Sequence, residues 1–180
     1  MDPERTLAPS SFPGDDGLAN PTTRRALAVA ATPATPADYL RAVAALCLDR
    51  VLVPVVATAT RLGQTTGGLT GDKEAEMAVV LLQTRDGRRA MLAFTGTDSL
   101  QAWDPTARPV PVTVDLAAQS AVADGAAALL VDFAGPHPLV IEGEVLDELA
   151  QGHRLAEVAE GQFGWVVATG DRASAPAPPE

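Results

Sequence analysis

Cysteine, lysine and aromatic residues are scarce in this 180-residue chain, and each scarcity excludes something. The single cysteine, Cys47, rules out an intramolecular disulfide framework and is typical of a reducing compartment. Lysine occurs only at Lys73, and the 13 Lys and Arg residues face 23 Asp and Glu, so the net charge is −10. Because such a chain repels phosphate backbones and anionic lipid surfaces, we expect neither nucleic acid nor a membrane as its partner.

Long apolar runs are also missing. No run approaches the roughly 20 residues that span a bilayer. The apolar stretch 26–31 is short and Pro33 follows it, so a signal peptide is not expected and the predicted location is the cytoplasm. With aromatics at 4% and apolar residues at 47%, a single core must be built mainly from Leu, Val and Ala.

Both ends of the chain differ in composition from its middle. Residues 1–34 are rich in Pro, Ala and Thr without a sustained period, which predicts a disordered N-terminal arm. Residues 169–180, with their repeated Ala and Pro, predict a disordered C-terminal tail in the same way. The structured domain is therefore expected over residues 35–168.

The domain opens with a well-signalled helix. Thr35 is placed as its cap, Pro36 suits the first helical position, and Asp38 completes a capping box. Its apolar stripe is Leu40, Val43, Ala44 and Cys47. Residues 51–57 then predict a strand, in which Pro54 indicates an edge or a bulge because it cannot donate to a ladder.

A hairpin follows the polar, glycine-rich loop 58–72. Its strands are predicted at residues 74–84, buried on both faces, and at residues 90–94. Between them the Asp86-Gly87 pair favours a type I′ turn.

The remainder alternates between the two kinds of element. Residues 110–114 read as extended, and Asp115 is placed to cap a helix that Gly125 closes. The further expectations are strands at 127–133 and 138–141, a helix at 142–150 and a last strand at 163–167, with the rest of 153–168 ambiguous. This order predicts an α/β (α+β) single domain, with a mixed, largely antiparallel sheet and packed helices.

Residues 88–105 form a complete strand, turn and helix, and such turns line the sheet edge where α/β proteins usually bind ligands. The candidate binding residues are Phe94, Thr95, Thr97, Asp98 and Trp103. The favoured reading is structural: Thr95 or Thr97 caps the helix, with Thr95 and Asp98 at capping-box spacing. Trp103 follows Leu100 by three positions and is expected to pack on the sheet, or else to serve as a partly exposed interface anchor.

Other candidate chemistry is weak, and we predict no catalytic residue, no metal ligand and no cofactor. The loop 63–73 lacks the Gly-Lys-Ser/Thr order of a phosphate loop. Glu74 and Glu76 share a strand face but read as a solvated strand end. Cys47 lies on an apolar stripe, so pairing with His137 or His153 for catalysis is disfavoured. No G-x-S-x-G surrounds any serine.

Several segments in this order resemble the SseB family, specifically its N-terminal domain. They are residues 72–77, 87–95, 98–103, 108–112, 125–135 and 139–149, and the resemblance spans roughly residues 36–152. It implies a small cytosolic α/β domain of unassigned molecular activity. It supplies no catalytic residues to carry over.

Two functions remain open. The first is a non-catalytic cytoplasmic interaction or regulatory module, whose partner is another protein or a second copy. The second is a small-ligand-binding domain or uncharacterised enzyme that uses the rim at residues 94–98 and the loop at 63–71. A deep pocket with convergent polar groups would favour the second function, and a filled rim the first.

Overall fold

The computed structural model describes residues 12–32, 34–58 and 76–167, and in these ranges it confirms the predicted single α+β domain. The helices are α1 (Pro21–Ala31), α2 (Pro36–Cys47), α3 (Thr97–Trp103), α4 (Val114–Ala123) and α5 (Glu144–Ala150). The strands are β1 (Arg50–Thr58), β2 (Glu76–Val79), β3 (Leu81–Gln83), β4 (Arg89–Ala93), β5 (Arg108–Thr113), β6 (Ala128–Val131), β7 (Leu139–Glu142), β8 (His153–Ala159) and β9 (Gln162–Val167). The tail predicted at 169–180 and the first 11 residues lie outside the described part.

The strands form two linked sheets and a separate hairpin. The sheet orders are β2-β1-β5 and β3-β4-β6-β7, and β4 with β6 is the one parallel pair among the described strands. A bridge between Leu52 and Phe94 joins the two sheets. The hairpin β8-β9 contains the last strand predicted at 163–167, whereas β8 had no sequence signal of its own.

The prediction that Pro54 marks an edge strand or a bulge is wrong, because β1 lies between β2 and β5. Leu52 exchanges both backbone hydrogen bonds with Phe94, at 2.7 and 2.9 Å, so its polar groups point away from β5. Alternate residues of a strand direct their backbone N and O atoms to the same side, so the nitrogen of Pro54 also points away from β5. On that side Pro54 faces Val80, at the break between β2 and β3, where the pairing of β1 with β2 has already ended.

Two further prolines shape the edge of the first sheet. Pro111 lies opposite Leu52 and Pro109 lies opposite Pro54. Two residues that face each other across an antiparallel pair either bond to each other or both point away from each other. Leu52 and Pro54 point away from β5, so Pro111 and Pro109 turn their nitrogens to the outer side of β5. An edge without these donors is a poor template for pairing with another strand.

The predicted hairpin is confirmed as β3-β4, but its turn is not type I′. The first strand, predicted as one run over 74–84 that is buried on both faces, is divided at Val80 into β2 and β3, and Leu81 and Leu82 are only half-buried. A type I′ turn needs positive φ at both central residues, and Gly87 (φ 86°) has it while Asp86 does not. The amide of Gly87 donates to the carbonyl of Thr84 at 3.0 Å, and that of Thr84 donates to Arg88 at 2.9 Å. This is a three-residue loop with glycine at the left-handed position.

The prediction of a disordered arm over residues 1–34 is wrong for its described part. Pro21–Ala31 is a helix, capped by the Asn20 side chain, which accepts from the amide of Thr22 at 2.9 Å. Leu27 is 1% exposed and belongs to the main core. Local signals for this helix are the Asn20 cap, Pro21 at the first helical position and an alanine-rich run, and burial of Leu27 fixes it on the core.

Helix starts follow the sequence at one place and depart from it at another. In α2 the capping box of Thr35 and Asp38 is confirmed, with both reciprocal bonds present. In α4 the cap is Thr113, without a side-chain bond, so the prediction that Asp115 caps this helix is wrong. Asp115 lies in the first turn instead, 3.3 Å from Arg154.

The two faces of the sheets are covered unequally. One face carries the main core, to which α1, α2, α4 and α5 all contribute buried residues. The other face carries a small cluster in which α3 supplies the helical residue Leu100. Because α3 has only seven residues, it covers little of that second face.

Candidate functional site

The carboxyl ends of the parallel strands β4 and β6 meet at one place, which we call the rim (residues 94–98 with Asp132). Asp132 follows β6, is 1% exposed and adopts a φ of 51°. Its carboxylate accepts the amide of Thr95 at 2.8 Å and the hydroxyl of Thr95 at 2.6 Å. Ser99 donates to it as well, at 2.6 Å. A single buried carboxylate thus fixes the turn between β4 and α3.

The predicted cap of α3 is wrong in its residues. Gly96 is the cap position and no side chain caps the helix, because the hydroxyl of Thr95 is turned to Asp132. Asp98 bonds to Arg24 rather than back to Thr95.

Arg24, from α1, spans the rim with its guanidinium. Nη1 and Nη2 donate to the two oxygens of Asp98 at 3.0 and 2.7 Å, and Nη2 lies 3.2 Å from the hydroxyl of Ser99. Nε donates to the hydroxyl of Thr95 and lies 3.3 Å from Asp132. The hydrogen bonds from Arg24 to Asp98 hold the pKa of Asp98 below its usual range.

A second arginine holds the segment that precedes α1, which we call the strap (residues 13–20). Arg50 is 7% exposed, and its Nε and Nη2 donate to the two carboxylate oxygens of Asp15. Nη2 also donates to the carbonyl of Leu18 at 2.7 Å, and Nη1 donates to the carbonyl of Thr95. The hydrogen bond from Arg50 lowers the pKa of Asp15.

The strap closes directly over the rim. The amide of Thr97 donates to the carbonyl of Gly17 at 2.8 Å. A Cβ on Gly17 would lie 2.5 Å from the Cγ2 of Thr97, and one on Gly96 would lie 2.9 Å from the amide nitrogen of Ala19. At Gly96 the two backbones approach so closely that only glycine fits, and at Gly17 the φ of 77° and the Thr97 side chain together favour glycine. The rim is therefore filled by the chain itself.

The predicted site residues separate into two groups. Thr95, Thr97 and Asp98 lie at the rim, as described above. Phe94 is fully buried and stacks on Trp103, with ring centroids 5.7 Å apart. Trp103 is half-buried and packs with Leu100 on the small cluster of the second face.

That second face grows more exposed from β4 to β7. Leu92, Leu130 and Val140 lie side by side across three strands. Leu92 is fully buried, Leu130 is half-buried and Val140 is 46% exposed. We call Leu82, Trp103, Leu130 and Val140 the half-covered face.

The weaker chemical candidates gain no support. Cys47 is 5% exposed, and burial raises the pKa of its thiol, which also accepts the amide of Leu155 at 3.4 Å. Among the described residues no group of three or more His, Cys, Asp or Glu side chains is arranged to hold a metal ion. Glu74, the Glu76 side chain and the loop 63–73 lie outside what the structure describes.

The sequence analysis missed the three residues that organise the rim. Asp132 carried a usable signal, since it is an acidic residue directly after a buried strand that runs parallel to β4. Arg24 and Arg50 carried none, because their partners lie 71 and 35 positions away in the chain.

Comparison with known proteins gave one match. A family model described as the SseB protein N-terminal domain matches residues 23–148. The matched range starts within α1, so it includes Arg24 and the whole rim. No curated protein and no solved structure matched. In the part of the chain that is described, no helix has both the length and the apolar character needed to cross a bilayer.

Proposed function

This chain belongs to the SseB family, and we propose that it is a non-catalytic cytoplasmic module that binds another protein on its half-covered face. The observation that carries the proposal is the gradient from buried Leu92 through Leu130 to exposed Val140 on one sheet face. An apolar sheet face is normally buried against another element, and α3 covers only one end of this one. The remaining apolar strip marks a docking surface.

Two features of the half-covered face suit a protein partner. Trp103 is half-buried at its border, and tryptophan is enriched among the residues that dominate binding energy. Its ring stacks on fully buried Phe94, so it is held in place before a partner arrives. An anchor of this kind loses little conformational entropy on binding.

The charge of the chain favours a basic partner over a second copy. At a net charge of −10, two copies repel each other at long range, whereas a cationic protein is attracted. At the exposed edge of β5, Pro109 and Pro111 have no outward backbone donor, which disfavours strand pairing between copies at this edge.

The alternative was a small-ligand-binding domain or an enzyme that uses the rim. It is less well supported, because Arg24 and the strap already occupy the polar groups that a ligand would contact. In the described residues these groups are bonded to one another rather than directed into an open pocket.

The test compares two valines of similar exposure. Val140 on the half-covered face is 46% exposed, and Val122 on α4 is 44% exposed. The wild type, Val140→Glu and Val122→Glu are used to capture proteins from a native lysate. The captured protein is then purified and its affinity for all three is measured by calorimetry. We expect Val140→Glu to bind at least about tenfold more weakly, and Val122→Glu to bind as the wild type does.

Salt dependence and oligomeric state complete the test. We expect affinity for the partner to fall with added salt, as it does for oppositely charged proteins. If the purified wild type instead forms dimers that Val140→Glu abolishes, the face joins two copies and the proposal is wrong. It is also wrong if no captured protein distinguishes the two variants.

A further inference from the structure

The strap is held to the domain by polar contacts. Its one buried residue is Gly17, which has no side chain, while Leu18 is 68% exposed. Segments without buried apolar side chains open locally at a small free-energy cost compared with the core. The strap is thus suited to exchange with another segment.

The groups that contact the strap favour a segment that carries a carboxylate. The two nitrogens of the Arg50 fork meet the two oxygens of Asp15, with the Nη2 to Oδ1 distance at 3.1 Å. Such paired, charge-assisted bonds fix orientation as well as adding energy. The amide of Thr97 and the guanidinium of Arg50 donate to the backbone carbonyls of Gly17 and Leu18. Any residue can supply such a carbonyl, so these two bonds do not select a side chain.

Glycine is required two residues after the carboxylate. Gly17 has a φ of 77°, and a Cβ there would meet Thr97 at 2.5 Å. Its amide donates to the Oδ1 of Asp15 at 2.7 Å, so the Asp-x-Gly segment folds its own turn before it meets the domain.

An open depression of about 340 Å³ lies beside the Arg50 fork. Phe12 and the first three residues of the strap line it together with Asp49 and Arg50, so it is formed by the strap as it rests on the domain.

We propose that the groove between Arg50 and the amide of Thr97 binds an extended Asp-x-Gly segment of a partner protein, and that the strap is its resting occupant. The carboxylate enters the Arg50 fork and the glycine passes over Thr97. The groove lies apart from the half-covered face, so this inference goes beyond the proposed function and each can fail alone.

The probe for the test is a fluorescein-labelled peptide of the strap, residues 13–20. The receptors are the full chain and its variants Asp15→Asn and Gly17→Ala, which loosen the strap by removing its charge or by a steric clash. A tethered strap has an effective concentration near the millimolar range, so it outcompetes free peptide in the wild type. We expect both variants to bind the peptide at least about tenfold more tightly than the wild type does, as measured by fluorescence anisotropy.

Matched peptides give the control. A peptide carrying Asp15→Asn lacks the charge for Arg50, and one carrying Gly17→Ala cannot approach Thr97, so neither should bind the variants. Thermal unfolding of each receptor verifies that it is folded. The proposal is overturned if the native peptide binds neither variant, or if the altered peptides bind as well as the native one.

Discussion

Asp132 accepts both the amide and the hydroxyl of Thr95, at 2.8 and 2.6 Å, although 37 positions separate the two residues. The contact ties the end of β6 to the end of β4 and sets the direction in which α3 leaves the sheet. Because the carboxylate is 1% exposed and is met by Thr95, Ser99 and Arg24, its charge is compensated on every side. Thr95, in the rim, and Ser99, in α3, are positioned directly by this carboxylate.

Replacing Asp132 with alanine should lower the free energy of unfolding by about 3 kcal/mol. The change leaves the buried amide and hydroxyl of Thr95 without their acceptor. It also places alanine at a φ of 51°, a conformation that aspartate tolerates better than alanine does. Urea denaturation measures the difference. Asp124→Ala, at an exposed position after α4, should change stability by less than about 0.5 kcal/mol. Equal effects of the two substitutions would contradict the structural role of Asp132.

Helix α1 is expected to be part of the domain rather than an appendage. Leu27→Ala should cost about 3 kcal/mol, because its side chain is 1% exposed in the main core. Val29→Ala, on the same helix but 48% exposed, should cost under about 1 kcal/mol. Thermal or urea unfolding distinguishes them. A neutral Leu27→Ala would mean that the helix does not pack as described.

Stability should fall in acid, and Asp98 should contribute to the fall. The bonds from Arg24 lower the pKa of Asp98, and those from Arg50 lower the pKa of Asp15. Free aspartate titrates near pH 3.9, so below about pH 4 the unfolded chain binds more protons than the folded one. The stabilisation is complete above that pH and is lost as the pH falls through the lower, folded values. Melting temperatures of the wild type between about pH 7 and pH 3 should therefore drop more steeply than those of Asp98→Asn. Parallel profiles would show that the Arg24 contact contributes nothing in solution.

Cys47 should be unreactive until the domain opens. Burial raises the pKa of its thiol, with a smaller opposing effect from the amide of Leu155, so little thiolate is present and little of it is accessible. Alkylation of the native chain should be at least about a hundredfold slower than that of the chain in denaturant. Labelling at similar rates in the two states would show that α2 does not seal this position.

Local sequence was sufficient wherever a few neighbouring residues determine the conformation. The capping box of Thr35 and Asp38 was predicted and is present, because its partners are three positions apart. The hairpin strands β3 and β4 were predicted from their apolar runs around Asp86-Gly87. The same reasoning failed for Thr95 and Asp98, which have capping-box spacing but bond to Asp132 and Arg24 instead. The hydroxyl of Thr95 donates to Asp132 and accepts from Nε of Arg24, so these two charged partners use it in place of a helix amide.

The sequence by itself determined the family, the class of fold and most of the elements, since these depend on periodicity and on turn residues close together in the chain. It also supplied the prolines of β5, although their purpose became visible only with the register. Tertiary structure alone decided that Pro54 lies in a central strand, that α1 joins the core, and that the rim is closed by Arg24 and the strap. Each of these depends on contacts between residues far apart in sequence, whose energy no local pattern contains.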